Sequence, residues 1–265
     1  MTRAVFLDVD GTLISFRTHE VPASAVEALR RAHAAGVRLF IATGRAVTDL
    51  VQLEAIPYDG VVALNGAECV LRDGRVVTRH RIPREEFERA LELSDAWDFP
   101  VALELNDGIF VNRVTPVVEQ LSRMIAHPIP EAVDLRRLFD RGDCCQMCFY
   151  VDPELEQRVM AQLPSLAASR WCPIFADINL RGIDKATGVA EFAERFGFRL
   201  EETMAFGDGG NDVPMLRKAG IGVAMGEACD EALQAADWVT ATVDDDGIRR
   251  ALEHFGVIAP EPAVR

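Results

Sequence analysis

Ala4-Val5-Phe6-Leu7-Asp8-Val9-Asp10-Gly11-Thr12 lies close to the start of the 265-residue chain. Its apolar run reads as a short buried strand, and the two aspartates and the glycine end it in a turn. Working outward, Pro22 suits the start of a helix carrying Val26, Leu29 and Ala32 at helical spacing, and Gly36 suits its end. Residues 37–42 read as a second buried strand, 46–55 as a helix and 60–64 as a third strand. Strands alternating with helices imply a parallel sheet with right-handed crossovers. Asp73-Gly74 then separates residues 69–72 from 75–78, which signals a β-hairpin.

The middle of the chain changes character. Pro83 opens a charged amphipathic helix to about Trp97, and Asn106-Asp107-Gly108 joins strands at 101–105 and 109–112. A helix over 116–126, a strand at 146–151, a helix at 154–163 and a strand at 174–179 follow. Hairpins mixed with helices fit an α+β insert, not more parallel sheet. From 186 onward helix and strand alternate again. The expected fold is α/β: one domain from residues 1–82 and 181–265, with an α+β domain inserted at 83–180.

Composition narrows the function. Forty-two acids against 28 Lys and Arg leave a net charge of −14, and 49% of residues are hydrophobic. That is enough apolar material for a core, and the acidity excludes a general nucleic-acid binder. No uncharged apolar run is long enough to span a bilayer, and the N-terminal stretch has no secretory apolar segment. A cytoplasmic protein with reduced thiols and no membrane partner is expected. Cys145 and Cys148 form a Cys-x-x-Cys, but i and i+3 in a strand face opposite sides, and no second pair follows at zinc spacing.

Three strand ends carry the chemistry. Asp8 and Asp10 follow the first strand, Thr43-Gly44-Arg45 the second, and Gly207-Asp208-Gly209-Gly210-Asn211-Asp212 a strand at 203–207. Ligands of open α/β sheets bind at the carboxyl ends of the strands. Asp8, Asp10, Asp208 and Asp212 gathered there would repel one another unless a divalent cation sat among them, and all-oxygen donors favour Mg²⁺. Lys185 is one of only two lysines in a chain that otherwise uses Arg for its cations. A helix N-terminus disfavours a cation, so its place there points to use at a site.

These motifs, in this order, resemble the haloacid dehalogenase (HAD) superfamily, and within it the Cof-like subfamily with a large α/β cap. The match comprises Asp8-Val9-Asp10-Gly11-Thr12-Leu13, Thr43 in Ile-Ala-Thr-Gly-Arg, Lys185 in Gly182-Ile-Asp-Lys-Ala-Thr-Gly188, and Gly207–Asp212. Asn65-Gly66-Ala67 and the stretch from Phe149 to Asp152 also resemble that subfamily. The resemblance implies a HAD-like Rossmannoid core and a Mg²⁺-dependent phosphomonoesterase. Asp8 would be the nucleophile and Asp10 the general acid and base. Asp8, Asp208 and the Asp10 carbonyl would hold Mg²⁺. Thr43, Gly44, Lys185 and Asn211 would bind phosphoryl oxygens, with Asp212 behind them.

The substrate implied is a small phosphorylated metabolite, with a sugar phosphate as the leading class. Glu104, Asn106 and Arg113 of the insert are candidates to contact it. One rival is a sugar phosphomutase or phosphotransferase of the same fold. Another is a non-catalytic binding or regulatory protein that keeps the fold.

Overall fold

The computed structural model describes residues 1–125, 127–142 and 144–260, except for the side chain of Trp171. In chain order the first elements are β1 (Ala4–Leu7), α1 (Ala23–Ala34), β2 (Arg38–Ala42), β3 (Gly60–Ala63), β4 (Glu68–Leu71) and β5 (Val76–Arg79). Next come α2 (Arg84–Trp97), β6 (Val101–Leu105), β7 (Gly108–Val111), α3 (Pro116–Met124), β8 (Glu131–Ala132) and α4 (Leu135–Phe139). They are followed by β9 (Gln146–Phe149), α5 (Pro153–Met160), β10 (Leu166–Cys172) and β11 (Phe175–Leu180). The last elements are α6 (Lys185–Phe196), β12 (Thr203–Gly207), α7 (Val213–Lys218), β13 (Ile221–Ala224), α8 (Asp230–Ala235), β14 (Trp238–Val239) and α9 (Gly247–His254).

Contacts divide these elements into two units. The first holds Met1–Arg45, Asp49–Thr78 and the chain from Asp184 onward. Its sheet runs β14-β13-β12-β1-β2-β3-β4-β5. The pairs from β14 through β3 are parallel, and β4 turns back antiparallel to β3. The parallel order β1-β2-β3 is the one expected from the sequence. The connection from β2 to β3 is not: residues 46–55 form two short 3-10 turns, Val47–Asp49 and Val51–Leu53, not a helix. Val47, Thr48, Asp49 and Val51 are poor helix formers, and a segment this short needs more than one apolar stripe to nucleate.

The core of this unit stacks Phe6 on Phe40 at 4.9 Å and Phe40 on Phe192 of α6 at 4.5 Å. Gly188 sets how closely α6 approaches the sheet, because a Cβ there would lie 2.2 Å from a Val62 methyl. One turn earlier on that helix stands Lys185.

The second unit comprises Arg79–Ile183 together with Ala46–Thr48. Its mixed sheet runs β10-β11-β9-β6-β7-β8. The predicted helix from Pro116 ends at Met124, and Ala126 lies outside the described residues. The helix α4 and the strand β10 are absent from the sequence reading. One face of the sheet is apolar: Val101, Leu103, Met147, Phe149, Ala176 and Ile178 pack with Phe87, Ala90 and Leu91 of α2. The alternate positions make the other face. Arg113 spends donors on the Ser94 and Phe99 carbonyls at 2.9 and 2.8 Å, holding the C-terminal end of α2. Asn106 lies in the β6–β7 turn.

Candidate active site

The site grows from the carboxyl end of β1. The strand stops at Leu7, and the backbone folds over as Gly11 N–H donates to the Ile14 carbonyl at 2.9 Å. Gly11 has φ +86°, and a Cβ on it would lie 2.3 Å from a carboxylate oxygen of Asp208, so only glycine lets the two loops meet. Asp8 and Asp10 would point the same way on a continued strand. The turn instead gives them different partners.

Asp8 is buried. Lys185 Nζ donates to Asp8 Oδ1 at 2.6 Å and to Asp212 Oδ1 at 2.6 Å. The lysine is itself fully buried as the first residue of α6, beside a capping box in which Asp184 accepts from Thr187 N–H. Burial alone would lower the ammonium pKa, but Asp212 and Asp8 outweigh it and push it above the ordinary lysine range. Lys185 therefore stays charged. Asp212 Oδ2 meanwhile accepts from the backbone N–H groups of Asp208 at 3.0 Å and Gly209 at 2.9 Å. Asp212 thus fixes the β12 loop and the lysine at once.

Asp208 completes the group. Thr12 Oγ1 donates to its Oδ1 at 3.2 Å. Carboxylate oxygens of Asp8, Asp208 and Asp212 all lie within 4.8 Å of one another. Burial, then the Asp212 charge, raises the Asp208 pKa to about 6. The same two causes hold Asp8 well above the usual carboxylate range. Three carboxylates against one ammonium leave an excess of negative charge in a dry place. An all-oxygen donor set with that excess fits a hard divalent cation. With both Asp212 oxygens engaged, Asp8 and Asp208 are the side chains suited to hold it.

Asp10 stands apart from this trio. Arg45 Nε donates to Asp10 Oδ2 at 2.9 Å and Arg45 Nη2 to Oδ1, a two-pronged clamp. Thr43 is buried, and its hydroxyl accepts from Arg45 N–H at 3.1 Å, closing a tight turn around Gly44. Asn211 Nδ2 donates to Asn65 Oδ1 at 3.1 Å. Leu64 and Asn65 both sit in the left-handed region, at φ 50° and 54°. Two such residues in succession are strained, and strain of this kind gathers at functional sites.

Of the residues singled out from sequence, the structure thus clusters Asp8, Lys185, Asp208 and Asp212, joins Asn211 to Asn65, and sets Asp10 on Arg45. Sequence reasoning missed the clamp by Arg45 and the hydroxyl of Thr12. The Asn-Gly pair at 65–66 was the available signal for the left-handed turn.

Comparison with known proteins fits this geometry. A parallel α/β sheet with carboxylates at its carboxyl edge and an inserted α+β unit is the architecture of a class of hydrolases. The chain belongs to that class by sequence as well: it is a haloacid dehalogenase-like hydrolase, matching the family over residues 5–252. It is 30% identical to Bacillus subtilis YkrA over 97% of this chain and 99% of that one. BT1666 of Bacteroides thetaiotaomicron, described among the phosphatases of the superfamily, superposes with TM-score 0.95 at 54% identity, covering 97% and 96% of the two chains. BT4131, described as a subclass IIB sugar phosphatase, superposes at TM-score 0.87 with 38% identity over 97% and 100%. The protein is a phosphatase of the HAD superfamily, of the Cof type.

Proposed function

We propose that the protein is a Mg²⁺-dependent phosphomonoesterase that cleaves a small phosphorylated metabolite, a sugar phosphate by class, through an aspartyl-phosphate on Asp8. The observation that carries this reading is the buried Asp8 carboxylate, held by Lys185 next to Asp208 and Asp212. Its resemblance to BT4131, described as a sugar phosphatase, supports the substrate class.

In this reading a free Asp8 oxygen attacks phosphorus in line with the departing alcohol. The cation, held by Asp8 and Asp208, would shield the carboxylate from the phosphate's charge. Lys185, Thr43 and the N–H groups around Gly44 take up the charge spreading over the transferring phosphoryl oxygens, and Asn211 aids them. Asp10 gives its proton to the leaving oxygen and later takes one from the water that frees Asp8. For the acid step one Asp10 oxygen leaves the Arg45 guanidinium to carry the proton, and the other stays held by it. The same reading makes the protein cytoplasmic, and among the described residues no helix is long and apolar enough to cross a membrane.

The test is a screen of phosphorylated metabolites with Mg²⁺, comparing wild type with Asp8→Asn. The expected result is phosphate release by wild type that falls by about 10³-fold or more in the variant. Isomerisation of a hexose phosphate without phosphate release would establish the phosphotransferase instead. Equal rates in both proteins would overturn the mechanism.

A further inference from the structure

Three of the groups that take up phosphoryl charge in the proposed reaction sit on different loops: Thr43 after β2, Lys185 at the head of α6 and Asn211 after β12. A fourth segment, Leu64-Asn65-Gly66 at the end of β3, abuts all three loops and lies with them in the first unit.

This turn is built against its own conformational preference. Leu64, Asn65 and Gly66 have φ 50°, 54° and 96°, and all three are buried. Glycine adopts such values freely and asparagine tolerates them, but leucine does not. The register of β2 on β3 pairs Ala42 with Val62, and Thr43 N–H extends it to the Val62 carbonyl at 2.8 Å. A regular parallel ladder would next join Leu64 N–H to the Thr43 carbonyl. Instead Asn65 N–H donates to that carbonyl at 2.9 Å, and Leu64 N–H donates to the Arg45 carbonyl at 3.2 Å. The slip of one residue carries the pairing past the strand end and onto the Thr43-Gly44-Arg45 turn.

Two further contacts leave the same segment. Asn65 Oδ1 accepts from Asn211 Nδ2 at 3.1 Å. A Cβ on Gly66 would lie 1.9 Å from the Asp184 carbonyl oxygen and 3.2 Å from the Lys185 backbone nitrogen, so the turn presses on the head of α6. Asn65 thus ties the Thr43 loop by its backbone and the Asn211 loop by its side chain, while its neighbour sets the distance to Lys185. Left-handed backbone at a non-glycine residue persists only where its surroundings over-determine it, and here three loops do so.

We infer that Asn65 is a positioning residue, which fixes the Thr43 and Asn211 loops at the spacing demanded by the phosphoryl group in transfer and not by a bound tetrahedral phosphate. The inference rests on the phosphatase reading. During transfer the three non-reacting phosphoryl oxygens spread toward a plane, so donors locked at that wider spacing act on the transition state more than on the ground state.

Two probes separate these states, and both are titrated by calorimetry into the full-length protein with Mg²⁺, without turnover. Orthovanadate takes five-coordinate geometry on a nucleophile, and inorganic phosphate stays tetrahedral. Asn65→Gly removes the side-chain acceptor and keeps the left-handed backbone accessible. It is expected to weaken vanadate by about tenfold and phosphate by no more than about twofold. Its kcat should fall by about tenfold with KM little changed. Asn65→Ala should show the same split together with a lower melting temperature, because alanine opposes the turn. With Asn211→Ala already in place, Asn65→Gly should cost less than about a further twofold in vanadate affinity, since the partner of its side chain is gone.

Equal weakening of both probes, or no weakening of either, would overturn the inference and make Asn65 a structural residue only. Losses that multiply fully in the Asn65→Gly, Asn211→Ala protein would overturn it as well. Each of these results with a wild type that hydrolyses esters leaves the phosphatase reading intact. A wild type that hydrolyses no ester sinks that reading itself, and the inference with it.

Discussion

Among the described residues, two clusters of acidic side chains are buried, and they are held differently. In the first unit, Asp8 and Asp212 share the ammonium of Lys185 and crowd against Asp208. In the second, Glu104 and Asp177 share the neutral amide of Gln146. An ammonium brings a compensating charge to the carboxylates it holds. An amide orients its partners by hydrogen bonds and brings no counter-charge. The first arrangement suits an attack on an anion assisted by cations. The second ties three strands of one sheet together. Three changes probe the first arrangement, and a change in salt probes the charge of the molecule as a whole.

The largest effect is expected from Lys185→Met. It strips the counter-charge from two buried carboxylates, and breaking such a pair costs about 3–5 kcal/mol. Urea unfolding should show that loss, and phosphate release should fall by about 10³-fold. Lys185→Arg should not restore activity, because a planar guanidinium cannot fill the place of a compact ammonium touching Asp8 and Asp212. Full activity in either variant would show that the charge is dispensable.

Next comes Arg45→Lys. Asp10 would keep a positive neighbour but lose the two-pronged hold. We expect kcat to drop by roughly tenfold with KM changing less, as for a residue that positions another group. Steady-state kinetics decides it: an altered KM alone would make Arg45 a substrate contact.

The third expectation concerns cation and pH. Asp208 titrates near 6, and Asp8 is also raised, both first because of burial. A carboxylate raised in the folded state stabilises the protein at low pH, where both states are protonated. That contribution is lost as pH rises from the unfolded value through about 6. Without cation, the protein should therefore lose stability between about pH 4 and pH 7 on account of these groups. Mg²⁺ needs the ionised forms, so its stabilisation should grow over the same interval. Melting curves with and without Mg²⁺ should separate more at pH 7.5 than at pH 5. A constant separation would mean that these carboxylates do not hold the ion.

The two carboxylate groups were not equally legible in the sequence. Asp8, Asp208 and Asp212 each follow a glycine-marked strand end, and Lys185 is conspicuous in an arginine-rich chain, so local pattern located them. The parallel order of β1, β2 and β3 was legible for the same reason. Glu104, Gln146, Asp177 and Asn179 lie on three strands with no shared local motif. Only the register of β6, β9 and β11 brings them together. The Arg45 clamp was hidden by scale, because a turn of one residue more or less would aim the guanidinium elsewhere. The stretch 46–55 misled because its apolar spacing is helical while its β-branched residues are not.

The smallest effect expected comes from charge outside both groups. The chain's net charge of −14 is spread well beyond the carboxylates discussed, and it should slow the approach of an anionic ester. Salt screens that repulsion over about 10 Å at 0.1 M. Raising ionic strength from 10 to about 100 mM, with Mg²⁺ saturating, should therefore increase kcat/KM by roughly two- to threefold and leave kcat unchanged. A neutral ester is no control, because every substrate carries the phosphate. The contrast instead lies between esters of different charge: a dianionic monophosphate should gain more than a singly charged one. A flat or falling profile would mean that the Lys185 and Arg45 cations already dominate the field a substrate meets, and that the surface acids are too dispersed to matter.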